Sequence, residues 1–130
     1  MSDPFNTPFL RMKITPGDNG RGAVELRIQE EHISPGGTVH GGVYATVADN
    51  VMSAAISSVN PDRKAFVTIE MQVRFMRPVS TGSIRAESSL LKAGRKIMHT
   101  ECKMFDDDGH LLATATGTYM MMEHPGPDVP

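Results

Sequence analysis

The sequence predicts an α+β domain in which a curled antiparallel β-sheet wraps around one long central helix. Several segments alternate apolar and polar residues, which is the period of a half-buried strand. One segment, residues 43–59, instead has apolar residues at helical spacing and contains neither Pro nor Gly. Turn residues separate the later strand segments, and an antiparallel sheet with one apolar face has to cover something.

The elements follow in chain order. Residues 23–30 form the first clear strand, and residues 9–14 either pair beside it or form a short lead-in helix. The helix over 42–59 is mostly buried, because its thin polar seam carries a single charge. Four strands come next, and consecutive hairpins join them into an antiparallel sheet; they lie at about 67–78, 82–92, 96–105 and 111–122.

Length and composition exclude several classes of protein. The 130 residues suit one domain over 1–130, with an ordered core at about 9–122 and flexible tails. A net charge of −2 disfavours a nucleic-acid partner. The apolar runs are shorter than the roughly 20 residues of a membrane span, and no secretory signal is visible. The single cysteine, Cys102, cannot form an internal disulfide, so we expect a cytoplasmic protein without membrane association.

The start of the predicted helix has the sequence Thr-Val-His-Gly-Gly, from Thr38 to Gly42. A helix N-terminus offers unpaired backbone N–H groups and about half a positive charge. Glycines there let a ligand oxygen approach closely, which suits a phosphate, a carboxylate or the oxyanion of an attacked thioester or ester. The alternative is structural: Gly41 and Gly42 make a tight turn, and His40 caps the helix.

Asp49 is the one charge in the polar seam of the helix. A buried carboxylate costs free energy unless it is paired or functional, and no cation lies three or four residues away. Asp49 is therefore a candidate nucleophile or general base; the alternative is a structural hydrogen bond to Thr46, Ser53 or a backbone group. The seam consists of Thr46, Asp49, Asn50, Ser53 and Ser57.

Spacing limits how these two features can cooperate. Gly41 and Asp49 are eight residues apart, which is about 12 Å along a helix axis. An Asp side chain cannot span that distance, so a shared reaction requires Asp49 from a neighbouring subunit with an antiparallel helix. We therefore expect a homodimer with two equivalent sites.

The run from Gly37 to Asn50 resembles the signature of PaaI-like hotdog-fold acyl-CoA thioesterases. In that family His-Gly-Gly opens the central helix, and an acidic residue follows nine positions after the histidine, as Asp49 follows His40 here. The resemblance covers about residues 9–122 and implies the hotdog fold, a dimer or dimer of dimers, and hydrolysis of acyl-CoA thioesters. Weaker matches are residues 67–78, Lys92-Ala93-Gly94-Arg95-Lys96, Asp108-Gly109-His110-Leu111 and Gly117-Thr118-Tyr119.

The resemblance also implies roles for individual residues. The Gly41 N–H would polarise the thioester carbonyl, Asp49 of the partner subunit would attack it or activate water, and His40 would orient the loop or the substrate. Ser34 stands where relatives often carry Asn or Gln, and Thr68 where they often carry a hydroxyl that helps to position water or the carboxylate. The implied substrate contacts are Gly42, Ser34, Thr68 and Asn50, and the implied coenzyme A contacts are Arg77, Lys92, Gly94, Arg95 and Lys96.

Two other functions remain open. An acyl-thioester dehydratase or hydratase of the same fold needs a His and an acid around the substrate's β-hydroxyl, and the long step from His40 to Asp49 fits hydrolysis better. The other is a non-catalytic acyl-CoA binding protein. No metal or prosthetic group is expected, since coenzyme A enters with the substrate. The acidic run at 106–109 lacks the ligand pattern of a calcium loop and indicates a hairpin turn.

Overall fold

The computed structural model describes residue 6 and residues 8–126. Within them, six strands form one antiparallel sheet in the order β1-β2-β4-β5-β6-β3, and one α-helix packs on it, as predicted. The elements are β1 (Lys13–Asp18), β2 (Arg21–Arg27), α1 (Gly41–Ser57), β3 (Lys64–Phe75), β4 (Ser83–Ala93), β5 (Ile97–Phe105) and β6 (Leu111–Pro125), with a 3₁₀ turn at Glu30–His32.

Helix α1 and the inner face of the sheet enclose the core. Along β5, buried residues alternate with more exposed ones, as a strand with one covered face requires. Leu26, Ile84 and Met104 are fully buried against the helix side of the sheet. The helix contributes nine buried residues: Val43, Tyr44, Val47, Ala48, Val51, Met52, Ala54, Ala55 and Ile56. Within the described residues, no helix is both long and apolar enough to cross a membrane.

The polar seam of α1 lies on the side of the helix that faces β3 and β6, the two strands that the helix covers least. The helix packs mainly on β1, β2, β4 and β5 and only lightly on β3 and β6. Thr46, Asp49, Asn50 and Ser53 are half-buried, as the sequence predicts, and Ser57 is exposed. Val59 is the last residue of the predicted helix, but it lies beyond the observed end of α1 at Ser57 and is partly exposed, so the prediction is wrong at this end.

The predicted chain of consecutive hairpins is wrong for β3. The β4–β5 and β5–β6 hairpins form, but β3 pairs with β6 at the edge of the sheet, and β4 pairs with β2. The connection from β3 to β4 runs past the start of α1, where Val39 N–H donates to Val79 O at 3.0 Å. Ile28 N–H then donates to Gly82 O at 2.9 Å, which brings β4 beside β2.

Element bounds differ from prediction mainly near the termini. No lead-in helix forms; β1 pairs beside β2 and contains Pro16 and Gly17, two residue types that are more common in turns than in strands. A Cβ on Gly17 would collide with Ala54 O, so the close approach of β1 to α1 requires glycine. β6 reaches Pro125, which pairs with Lys64, so residues 123–125 are not frayed. Of the predicted flexible tails, residues 1–5, 7 and 127–130 lie outside the described residues.

Candidate active site

The N-terminus of α1 is open to solvent. His40 is the N-cap residue of α1, as the structural alternative predicts, but its side chain makes no capping hydrogen bond. Val43 N–H donates to His40 O at 3.0 Å, whereas the described residues provide no acceptor for the Gly41 N–H. Gly41 and Gly42 are both exposed. A ligand oxygen can therefore reach the positive end of the helix dipole.

A cleft of about 380 Å³ lies beside this helix tip. The rings of Tyr44 and Phe75 meet edge to face in it, with centroids 5.4 Å apart. Burial raises the pKa of Tyr44. The walls of the cleft are mainly apolar, which suits the non-ionic part of a ligand whose polar atom binds at Gly41. The cleft is lined by Thr38, Val39, Gly41, Tyr44, Phe75, Met76, Arg77 and Pro78.

Asp49 is held by two hydroxyl groups from the sheet. Tyr119 Oη donates to Asp49 Oδ1 at 2.7 Å, and Thr68 Oγ1 donates to the same oxygen at 3.1 Å. The predicted structural partners, Thr46 and Ser53, do not hold the carboxylate. Thr46 Oγ1 donates to Gly42 O instead. The carboxylate is thus oriented by neighbouring strands and carries no ion pair within the described residues.

Tyr119 is the site residue that sequence reasoning missed. It lies on the inner face of β6, and burial, followed by the hydrogen bond and charge of Asp49, raises the pKa of Tyr119 well above its usual range. A signal was available in the sequence. Residue 119 shares strand parity with Ala113 and Ala115 on the apolar face, and a buried tyrosine hydroxyl needs a partner.

The other predicted substrate contacts are local to their own segments. Asn50 Nδ2 donates to Thr46 O at 2.9 Å, one turn back along the helix. Ser34 N–H donates to Thr38 O at 2.7 Å and closes the tight loop before α1. Among the described residues of one chain, Thr68 is the only predicted substrate contact that forms a hydrogen bond with Asp49.

The structure divides the predicted coenzyme A contacts between two ends of the sheet. Arg77 N–H donates to Leu112 O near the start of β6, in the cleft beside Gly41. Lys96 O accepts from Met121 N–H nine residues further along β6, which is about 30 Å of strand. Lys92, Gly94, Arg95 and Lys96 share the β4–β5 turn at that far end.

Gly94 has a structural role in this turn. Its N–H donates to Ile97 O at 2.9 Å, and a Cβ would lie 2.7 Å from the same oxygen. The turn therefore needs glycine, and Lys92, Arg95 and Lys96 remain exposed around it. Sequence reasoning did not include Arg63 and Lys64, although Lys64 pairs with Pro125 and thus lies at the same end of the sheet.

The acidic turn between β5 and β6 is held by its own hydrogen bonds. Asp106 Oδ1 accepts from the backbone N–H of Asp108 at 3.0 Å and of His110 at 2.8 Å. His110 Nδ1 lies 3.2 Å from Asp106 Oδ2. Among the described residues, one group of side chains lies close enough together to share a metal ion: Asp106, Asp108 and His110. The hydrogen bonds within the turn account for this proximity.

Comparisons with known proteins identify the family. The model of the thioesterase superfamily matches residues 36–113, which include α1, His40, Gly41, Asp49 and Thr68. A Saccharolobus solfataricus protein is 32% identical over 114 residues, covering 88% of this chain and 81% of its own. Human acyl-coenzyme A thioesterase 13 is 29% identical over 116 residues, covering 88% and 82%.

Solved structures share the whole fold. Conserved protein PA5202 from Pseudomonas aeruginosa superposes with a TM-score of 0.87 at 25% identity, covering 94% of this chain and 96% of its own. A phenylacetic acid degradation-related protein from Ralstonia eutropha gives a TM-score of 0.83, also at 25% identity, with 92% of each chain covered. The chain therefore belongs to the thioesterase superfamily, as a PaaI-like hotdog-fold thioester hydrolase.

Proposed function

We propose that the protein hydrolyses an acyl-CoA thioester at a site that two copies of the chain complete together. The observation that carries this proposal is an oriented carboxylate, Asp49, on the same helix as an open N-terminal N–H at Gly41, about 12 Å away. The name of the human relative, an acyl-coenzyme A thioesterase, supports the class of substrate.

The distance between the two groups is the reason for a second copy. Two α1 helices lying antiparallel across a two-fold axis would place Gly41 of one chain opposite Asp49 of the other. Each dimer would then hold two equivalent sites. Two dimers would associate further into a tetramer, as the family resemblance implies.

Strand β3 offers the surface for this dimer. It is an edge strand with an unpaired row of backbone groups, and α1 barely covers its inner face. Ile69, Phe75 and Met76 are each more than half exposed, at 54%, 58% and 54%. Pairing of two β3 edges would extend the sheet across the dimer and cover these side chains.

The chemistry follows from the two groups. The Gly41 N–H and the helix dipole would stabilise the negative charge on the carbonyl oxygen as the tetrahedral intermediate forms. Asp49 would attack the carbonyl carbon itself or remove a proton from the attacking water. On the general-base route, the C–S bond breaks, the proton that Asp49 took from water passes to the sulfur, and the attacking water supplies the hydroxyl of the acid. On the nucleophilic route, the C–S bond breaks to give an acyl–Asp49 anhydride and the coenzyme A thiolate, and water then hydrolyses the anhydride, which releases the acid and restores the carboxylate. His40 would orient the loop or the substrate.

This reaction requires neither a metal nor a prosthetic group beyond the substrate's own coenzyme A. The exposed cations Lys92, Arg95 and Lys96 would meet its phosphates, with Arg77 beside the helix tip. Gly42, Ser34 and Asn50 remain candidate substrate contacts. We place the activity in the cytoplasm, which suits a chain with one free cysteine.

Thiol release from a panel of acyl-CoAs, from short chains to aryl-acyl groups, tests the proposal. We expect hydrolysis with a kcat of about 1–10³ s⁻¹ for the preferred acyl group. Asp49→Asn should lower kcat about 10²–10⁴-fold because the amide is neither base nor nucleophile. Asp62→Asn, an exposed aspartate in the turn after α1, is the matched control and should keep the wild-type rate.

Two results would contradict the proposal. Tight binding of acyl-CoA without thiol release would indicate a binding protein. Full turnover by a folded Asp49→Asn protein would remove the role assigned to the carboxylate.

A further inference from the structure

Tyr119 is buried, and its ring is packed closely by neighbouring residues of β3 and β6. Its side chain is 1% exposed, and the ring of Phe66 on β3 packs edge-on against it with centroids 6.1 Å apart. A Cβ on Gly117 would lie 2.9 Å from Tyr119 Cε1 and 2.9 Å from Met52 Cε. The absence of a side chain at 117 therefore leaves room for the ring of Tyr119, whose hydroxyl donates to Asp49.

The two hydroxyl groups act on one oxygen of the carboxylate. Tyr119 and Thr68 both donate to Oδ1, at 2.7 and 3.1 Å. Oδ2 has no hydrogen-bond partner among the described residues, and it is not buried, since these residues contain no buried side-chain oxygen without a partner. The carboxylate is thus asymmetric: one oxygen is anchored to the sheet and the other is open.

We propose that Tyr119 is a positioning residue which, together with Thr68, anchors Asp49 through Oδ1 so that Oδ2 alone meets the thioester or its water. This inference rests on the proposed function of Asp49. The reacting atom is then Oδ2 of Asp49, and Tyr119 orients that carboxylate without taking part in the chemistry itself.

The surroundings of Tyr119 keep its hydroxyl group in the protonated form, which can donate a hydrogen bond. Burial, then the hydrogen bond and charge of Asp49, raise the pKa of the phenol. The hydroxyl therefore keeps its proton and can donate it in a hydrogen bond to Asp49 Oδ1. A hydrogen bond to a charged group is among the stronger ones in proteins, so its loss should release the carboxylate to other rotamers.

Tyr119→Phe tests the inference, because it removes the hydroxyl and keeps the ring. We expect kcat to fall about tenfold or more, with KM for acyl-CoA changed by less than about threefold. Thr100→Val is the matched structural control. Thr100 is equally buried on the adjacent strand and donates to Gly117 O at 3.0 Å, so its loss should lower stability without changing kcat.

A double-mutant cycle separates this inference from the proposed function. If Tyr119 acts through Asp49, Tyr119→Phe should cause no further loss in an Asp49→Asn background. An inactive Asp49→Asn protein beside a fully active Tyr119→Phe protein would overturn the inference and leave the proposed function standing. Full activity of Asp49→Asn would overturn both.

Thr68→Val provides a second variant at an exposed position, where folding is not at risk. It removes the other donor to Oδ1, and we expect kcat to fall several-fold with KM unchanged. A crystal structure with a non-hydrolysable thioester analogue should place Oδ2 nearest the carbonyl carbon. Unchanged kcat in a Thr68→Val protein, or Oδ1 facing the analogue, would overturn the anchoring through Oδ1.

Discussion

A mixing experiment tests whether two subunits share the site. Gly41→Pro removes the backbone N–H at the helix tip, and Asp49→Asn removes the carboxylate, so either homodimer lacks one half of each site. In a heterodimer, the intact Gly41 of one chain meets the intact Asp49 of the other, and the second site carries both defects. Activity should therefore return on mixing.

The structure indicates that Gly41→Pro is a mild change for the fold. Gly41 is the first residue of α1, a position where Pro is favoured because its N–H has no helical partner. His40, with φ −56° and ψ 139°, already has the conformation that a residue before Pro prefers. A Cβ at position 41 would lie 3.4 Å from Cζ of Phe75, which is an ordinary contact distance to a largely exposed ring.

The expected magnitudes follow from this geometry. Loss of one oxyanion donor costs about 10²–10³ in kcat. Random assembly of equal amounts gives half heterodimers with one intact site of two, so the mixture should reach about a quarter of wild-type activity. Purified heterodimers should reach about half. Gly41→Ala keeps the N–H and should lose far less activity than Gly41→Pro.

The assay is thiol release after co-refolding of the two variants with different affinity tags. Heterodimers are isolated by both tags and verified by mass. If these heterodimers are no more active than the parent homodimers, the shared site is refuted.

Three further predictions concern other parts of the molecule. Reversing the charges of Lys92, Arg95 and Lys96 to Glu should raise KM for acyl-CoA about tenfold. KM for an N-acetylcysteamine thioester, which lacks the nucleotide, should not change; an equal change in both would exclude phosphate contacts. Burial raises the pKa of Cys102 to about 12, so the native thiol should resist thiol reagents at pH 8, and one thiol per chain should react after unfolding. Rapid reaction of the native protein would show that Cys102 is accessible. Leu26→Ala should lower the free energy of unfolding by about 2–5 kcal/mol in urea titrations, because Leu26 is fully buried, and a loss below about 1 kcal/mol would contradict its place in the core.

Local spacing was enough to predict α1 and its polar seam. The apolar positions recur with the period of a helix, and the two glycines mark its start, so the first helical residue falls within one position of the prediction. The seam is half-buried because the helix covers β1, β2, β4 and β5 and leaves β3 open. The hairpins β4–β5 and β5–β6 were predictable for a similar reason, since their turns lie between neighbouring strands.

The position of β3 was not predictable in this way. Alternation shows that a segment is a strand with one apolar face, but it does not name the neighbouring strand. The backbone hydrogen bonds of Val39 and Ile28 to the β3–β4 connection carry β4 to β2 and leave β3 at the edge beside β6. These contacts join segments far apart in the chain, so no local pattern records them.

The sequence by itself determined the helix tip, the lone carboxylate and the eight residues between them, because these lie on one regular element whose rise per residue is constant. The tertiary structure decided what holds that carboxylate. Thr68 and Tyr119 are 19 and 70 residues away from Asp49, and their hydroxyls converge on one oxygen only because β3 and β6 pair beneath the open side of the helix.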